Sequence, residues 1–352
     1  MTRNARSVHK KCKGKWMMKD FADYSLLKHN TFGIDAECKR FVEYASAEET
    51  VDVARRLTAP FIIIGGGSNL LLTGDYAGTV VRSGIRGCEV VADDGEQVLV
   101  RVGSGEEWDS MVAHFVEKGW HGAENLSLIP GDVGASAVQN IGAYGMEVCQ
   151  LIERVEAVAI GTGERVCLSA ADCQYGYRQS RFKGEWHNRF LITHVTYSLS
   201  RRFVPRLDYG NVKQELERRG IGRPTAAQLR EAIVAIRREK LPDPKVEGNA
   251  GSFFMNPVVT REKYEALLAA YPQMPHYYVD AGHEKIPAGW MIDQCGWKGR
   301  TVGHAGVHSK QALVLVNRGG ATGQEVVDLC RQIQADVSSR FGIDLTPEVN
   351  IV

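Results

Sequence analysis

Apolar positions along this chain follow two periods, and the switches between them mark out its elements. Unbroken or alternating apolar runs predict strands at Phe61–Ile64, Thr79–Arg82, Glu89–Ala92, Val98–Val102 and Phe190–Leu199. Val155–Ile160 and Arg165–Ser169, joined by Gly161–Glu164, read as a hairpin, and Ala312–Asn317 as a further strand. Helical spacing takes over where capping residues open it. Ser46-x-x-Glu49 is a capping box leading through Val51, Val53, Ala54 and Leu57; with Pro60 and the strand after it, this gives a strand–helix–strand unit. Trp108, Met111, Val112 and Phe115 share one helical face. Thr225-x-x-Gln228 opens a helix carrying Leu229, Ile233 and Ile236 and ending at Lys240. Thr260 caps a helix to Ala270, and Ala288–Gln294 is a short one. Thr322-x-x-Glu325 begins a helix through Val326, Leu329, Ile333 and Val337, and Leu345–Val352 closes the chain as a strand with Glu348 on it. Leu241-Pro-Asp-Pro244 breaks the pattern and is the best candidate domain boundary.

Two stretches break both periods. In Phe61–Leu72 an apolar strand runs straight into Gly65, Gly66 and Gly67, then Ser68 and Asn69. Such a turn lets backbone approach a ligand closely, and successive N–H groups form a nest that suits a phosphate. A strand-to-strand turn with glycines for geometry alone is the other reading. Gly65-x-Gly67 and Gly103-x-Gly105 resemble dinucleotide fingerprints, but Leu70 and Trp108 stand where the third glycine belongs, so a Rossmann fold is rejected. Asn125–Gly145 is dense in small residues and amides: Gly134, Ala135, Ser136, Gln139, Asn140 and Gly142. That composition suits a flat heteroaromatic ring with hydrogen-bonding edges, or else a tightly packed turn and helix. Tyr175–Lys183, two tyrosines followed by three cations, reads as an anion-facing loop or a solvated one. Gly248–Pro257 sets Ser252 at the head of an apolar strand.

Composition narrows the class. A length of 352 residues implies two or three domains, and 44% hydrophobic with 24% charged residues is ordinary for a globular protein. A net charge of +1 gives no electrostatic case for nucleic acid or membrane surfaces. Eight scattered cysteines without a C-x-x-C pair predict reduced thiols in a cytoplasmic protein, not disulfides or a metal site. The basic first residues, through about residue 17, read as a disordered tail upstream of a start at Met17 or Met18; a nucleic-acid-binding arm is the sharper alternative.

Taken in order, I-G-G-G-S-N-L-L, N-L-S-L-I-P-G-x-V-G-A-S-x-x-Q-N-I-G-A-Y-G, Y-G-Y-R-x-S-x-F-K, L-P-D-P-K-V-x-G-N-A-G-S-F-F-x-N-P and the closing P-E-V resemble the UDP-N-acetylenolpyruvoylglucosamine reductase family, in its longer-chain class with a tyrosine loop. The segments extend from about Gly65 to Val349, almost everything but the tail. The resemblance implies an α+β fold. A two-part FAD-binding region of the vanillyl-alcohol-oxidase type would comprise 18–86, joined by strand 342–352, and 87–238 with the tyrosine loop near 209. A substrate-binding α+β domain would occupy 239–341. It further implies non-covalent FAD held by Gly65, Gly66, Gly67, Ser68 and Asn69, with Gln139, Asn140, Ile141 and Gly142 along the flavin. Arg178, Ser252 and Glu348 would be catalytic, and Tyr209, Lys240, Asn256 and Gln311 would contact substrate. NADPH is the implied reductant, small molecules are the implied partners, and no metal, membrane, nucleic acid or obligate protein partner is expected. Family members often carry arginine two residues after the glutamate; here Asn350 stands there.

The implied reaction reduces the enol ether of UDP-N-acetylglucosamine enolpyruvate to UDP-N-acetylmuramate, for peptidoglycan precursors. An electron-rich double bond resists hydride unless its carboxylate is neutralised, which suits Arg178, with Lys240 as a second cation. Ser252 would protonate the neighbouring carbon, and Glu348 would orient the substrate or share the proton relay. An FAD-linked oxidase or dehydrogenase with another substrate, and a non-catalytic nucleotide-sugar binder, are the competing readings.

Overall fold

The computed structural model describes residues 18–209 and 211–352, so the tail expected over 1–17 lies outside the described residues. The chain divides into two compact units. One comprises the chain through Tyr24, Cys38–Gly66 and Tyr76–Arg237; the other comprises Ser25–Glu37, Gly67–Asp75 and Arg238–Val352.

In the first unit, Phe61–Ile64 and Glu37–Tyr44 both run parallel to Tyr76–Ser83 between them, with Lys19–Ser25 beyond. Helix Ala47–Arg56 links the two parallel strands as the capping box predicts: Ser46 accepts from the Glu49 N–H at 3.2 Å. The Glu49 carboxylate reaches one residue further than expected, accepting from the Ala45 N–H at 2.7 Å. A second sheet is wholly antiparallel, with strands Arg165–Ser169, Ile152–Ala159, Phe190–Ser200, Gln97–Gly103 and Cys88–Asp93 in that order. The expected hairpin is its edge, with Val155 opposite Leu168. Val98, Val100 and Val102 point inward by strand alternation and meet Trp108, Val112, Phe115 and Tyr197. Val42, Val81 and Ile85 pack with Val158 and Leu191 and so join the two sheets. Helices Val212–Arg218 and Ala226–Lys240 bury a small core of Val212, Leu216, Leu229, Ile233 and Ile236. Thr225 and Gln228 cap the longer one reciprocally, at 2.9 and 3.2 Å.

The second unit is built on an antiparallel sheet ordered Gly248–Ser252, Val314–Asn317, Ala305–Val307 and Thr301–Val302. Helix Gly323–Phe341 carries the full capping box of Thr322 and Glu325. Two expectations are corrected here. Ser252 ends its strand instead of heading one, and Phe253 then donates its N–H to Leu313 across the sheet at 2.8 Å. The closing strand forms a regular ladder at Asn350–Ile351, parallel to Leu70–Leu71, and before that makes an isolated antiparallel bridge from Pro347 to Phe254. Among the described residues no helix is long and apolar enough to cross a membrane.

A Cβ on Gly323 would lie 1.8 Å from the Leu72 carbonyl oxygen, so helix and strand meet there backbone to backbone. Gly323→Ala is expected to destabilise the protein by about 1–3 kcal/mol, read as a lower denaturant midpoint at constant slope. Gly74→Ala, with nothing within 4 Å of its Cβ position, should leave the midpoint unchanged.

Candidate active site

The glycine run is a cradle that side chains would fill. The chain leaves the first unit after Gly66 and enters the second at Gly67. Within the first unit, a Cβ on Gly65 would stand 2.8 Å from Ala135 Cβ, and one on Gly66 would stand 3.1 Å from Asp132 Oδ1 and 3.2 Å from Gly131 Cα. Gly131, Asp132 and Ala135 belong to the Pro-Gly turn and the helix Val133–Gln139, so the two unusual stretches of the sequence are neighbours here. Asp132 is buried, and Arg82 Nη2 donates to its Oδ2 at 3.1 Å. Burial pushes its carboxyl above the ordinary aspartate range, against the pull of Arg82. The other Arg82 nitrogen, Nη1, donates to Glu43 at 3.3 Å. Within the second unit, Gly67 has φ 69° and presses on His29, whose carbonyl oxygen would be 1.9 Å from any Cβ. Asn69 Nδ2 donates to the Glu348 carbonyl at 3.1 Å, which ties the loop to the closing segment.

Arg178 is placed by the amide-rich stretch. Its Nη2 donates to the Gly142 carbonyl at 2.6 Å and its Nη1 to the Asn140 carbonyl at 3.3 Å. Gly142 has no room for more: a Cβ there would come within 2.9 Å of Arg178 Nη1. The Lys183 ammonium donates to the Arg178 carbonyl at 3.0 Å, so this cation braces the loop internally. Gln139, Ile141 and Gly142 are part-exposed along the same segment, whereas Asn140 is 0% exposed. The tyrosine loop arrives beside the hairpin Gly142–Glu147 because Asn125 Nδ2 donates to both the Tyr144 and Arg206 carbonyls, at 2.9 and 3.1 Å. Tyr209 then covers Gly145, with its Cβ 3.1 Å from the glycine's Cβ position.

The segments that carry Ser252 and Glu348 pair with each other in the second unit. The Glu348 N–H donates to the Phe253 carbonyl at 2.8 Å, and Met255 donates to Thr346 at 3.0 Å, so the segment after Ser252 lies antiparallel to the closing one. Asn256 Oδ1 accepts from the Ala288 N–H at 2.9 Å, at the start of helix Ala288–Gln294. Gln311 Oε1 lies 2.9 Å from the Cβ position of Gly289, one residue on, so these two residues share the helix start. Lys240 is the last residue of its helix. The expected site residues thus form two groups, one in each unit. Asp132 and Arg82 were absent from the sequence reading; the Pro-Gly-Asp step in the amide-rich stretch was the available signal.

Residues 243–352 match the family model described as UDP-N-acetylenolpyruvoylglucosamine reductase, C-terminal domain, and residues 40–169 match an FAD binding domain. The chain is 55% identical over 332 residues to the UDP-N-acetylenolpyruvoylglucosamine reductase of Bacteroides fragilis, covering 94% of this chain and 99% of that one. It is 49% identical to the protein of that name from Burkholderia multivorans, covering 93% and 95%. The crystal structure of the reductase from Thermus caldophilus aligns with a TM-score of 0.65 over 95% of this chain and 98% of that one, at 23% identity, a likeness of fold.

Gly66→Val should weaken FAD binding, because a branched side chain meets Gly131 and Asp132 where the loop must lie. Fluorescence titration of FAD into the flavin-free protein checks this, with circular dichroism to verify folding. Equal affinity in mutant and parent would make the loop a turn and nothing more.

Proposed function

Because this chain belongs to the UDP-N-acetylenolpyruvoylglucosamine reductase family, FAD-dependent oxidoreductases of peptidoglycan precursor synthesis, we propose that it reduces the enolpyruvyl ether of UDP-N-acetylglucosamine enolpyruvate with NADPH. What supports the reading most is the pairing of the segments that carry Ser252 and Glu348, in which the Glu348 N–H donates to the Phe253 carbonyl at 2.8 Å and the Met255 N–H to the Thr346 carbonyl at 3.0 Å.

The glycine cradle fits a dinucleotide's pyrophosphate: Gly65, Gly66 and Gly67 leave the loop without side chains on its crowded side, and Ser68 and Asn69 add short polar groups. Gln139, Ile141 and Gly142 would lie along the ring, and binding is non-covalent. The FAD region would be 18–86 with 342–352, and 87–238; substrate would be held by 239–341. Bound FAD supplies the hydride chemistry between NADPH and the substrate's methylene carbon. The remaining tasks fall to side chains. Arg178 neutralises the enolpyruvyl carboxylate; a guanidinium already fixed on two carbonyls needs little reorganisation when charge develops. The Ser252 hydroxyl gives its proton to the carbon bearing the ether oxygen. A hydroxyl is a weak acid, so it works only at close range against a strongly basic carbon. Glu348 orients the substrate end or returns the proton. Tyr209, Lys240, Asn256 and Gln311 hold the sugar nucleotide, Asn256 and Gln311 from the start of one helix. The partners are small molecules, and the location is cytoplasmic, in keeping with eight cysteines that show no pairing pattern.

Two substitutions test the assignment. Arg178→Lys keeps the charge but cannot span the Asn140 and Gly142 carbonyls with one planar group, so turnover of the enolpyruvyl sugar should fall sharply. Steady-state turnover near the parent value would remove the role given to Arg178. Ser252→Ala divides the reaction. Stopped-flow bleaching of the flavin by NADPH should run near the parent rate, while reoxidation by the enolpyruvyl sugar slows by ~10²–10⁴-fold, the range for losing a general acid. Survival of both halves would leave Ser252 a strand end only, and fast reoxidation by oxygen without the sugar would favour an oxidase.

A further inference from the structure

We propose that Asn140 is a positioning residue for Arg178: its side chain locks the junction whose carbonyls hold the guanidinium. The inference rests on the role proposed above for Arg178.

Asn140 ends the helix Val133–Gln139 in the left-handed conformation, φ 45° and ψ 62°, with its N–H donating to the Ser136 carbonyl. Asparagine is one of the few residues with a side chain that visits this region routinely. Its amide is then spent inside the protein. Nδ2 donates to the Gly176 carbonyl at 2.8 Å and to Glu147 Oε2 at 3.0 Å, and Oδ1 accepts from the Cys149 N–H at 3.1 Å. Both amide donors and one lone pair are in use, which leaves no donor for a bound ring. Three segments meet on this one side chain: the helix end, the strand Met146–Glu147 with the turn after it, and the turn Gly176–Gln179.

That last turn carries Arg178. Gly176 and Gln179 exchange N–H to carbonyl bonds at 3.0 Å in both directions, with Arg178 at φ 54° between them. The clamp is reciprocal: Asn140 holds the turn through Gly176, and Arg178 in that turn holds the Asn140 and Gly142 carbonyls. Loss of the amide frees the turn from the helix end, and the guanidinium loses its fixed aim. Misplacement of a catalytic group by about 1 Å can cost ~10²-fold in rate.

Asn140→Gly is the informative variant, because glycine takes the left-handed conformation without strain and removes only the amide. In the FAD-loaded protein, reoxidation of the flavin by the enolpyruvyl sugar should slow by ~10–10²-fold relative to its bleaching by NADPH. In an Arg178→Lys background the same change should add little, since both act through one group. Asn140→Asp, which keeps the shape but turns a carboxylate toward Glu147, should impair the same half-reaction, so the result does not hang on a single variant. Parent-like reoxidation in either variant, or equal slowing with and without Arg178, would overturn the proposal while leaving Arg178 its role. Loss of FAD affinity as the main effect of Asn140→Gly would also overturn it, by making Asn140 a cofactor residue. If Arg178→Lys alone kept full turnover, the reading of Arg178 would fail first and this one with it.

Discussion

Thr31 joins two segments of the second unit through backbone carbonyls. Its N–H donates to the Gly67 carbonyl at 3.0 Å, and its hydroxyl donates to the Asn249 carbonyl at 2.6 Å. Asn249 answers through its own N–H to the Thr31 carbonyl at 3.0 Å. One residue thus sits between the glycine loop and the strand that ends in Ser252. Gly67 and Gly248 make the approach possible: a Cβ on either would lie within 2.2 Å of a carbonyl oxygen, of His29 and Phe32 respectively. Asn249, 2% exposed, finishes the joint with Nδ2 on the Glu247 carbonyl at 2.8 Å and Oδ1 under the Gly251 N–H at 2.9 Å. Buried polar groups satisfied in this way are costly to break, which is why loop and strand hold one geometry.

The charges of the first unit are arranged on the same principle. A buried carboxylate next to Gly66 is an unfavourable neighbour for an anion, and Asp132 would oppose phosphate binding if it stood alone. Arg82 offsets it, and Glu43 shares that guanidinium from the other side. Arg86 adds positive potential, and Glu107 opposes it. Arg178 is held on backbone groups. The carbonyls of Asn140 and Gly142 accept from its guanidinium, at 3.3 and 2.6 Å.

How much of this could be read from residues follows from the range of the interactions involved. Caps at Ser46, Thr225 and Thr322 are local, and each appears where the spacing puts it, although at Ser46 the return bond from Glu49 goes to Ala45. The antiparallel hairpin Ile152–Ser169 is equally local. Ser252 was misjudged because the sheet partner that ends its strand, Val314, lies far along the chain. Asn140 shows the same limit from the other side. Its place in an amide-rich stretch suggested a ring contact, yet its partners Gly176 and Glu147 turn it inward. Arg82 carries no spacing signal and Asp132 only the Pro-Gly-Asp step, and only folding makes them a pair beside the loop.

Asn350 brings these considerations to one position. An arginine there would add a cation near the closing carboxylate; asparagine adds none. The side chain instead serves the backbone: Asn350 N and Nδ2 both donate to the Asn69 carbonyl at 3.1 Å, and Asn69 Nδ2 returns a bond to the Glu348 carbonyl. Glu348 is therefore gripped on both flanks, by Asn69 on its carbonyl and by Phe253 on its N–H, whatever charge residue 350 has. Its position is a property of main-chain pairing, and pairing of this kind does not weaken with salt as an exposed ion pair would. What asparagine gives up, compared with arginine, is one positive charge in the second unit. In the first unit the Arg178 guanidinium is likewise held on backbone groups, the carbonyls of Asn140 and Gly142.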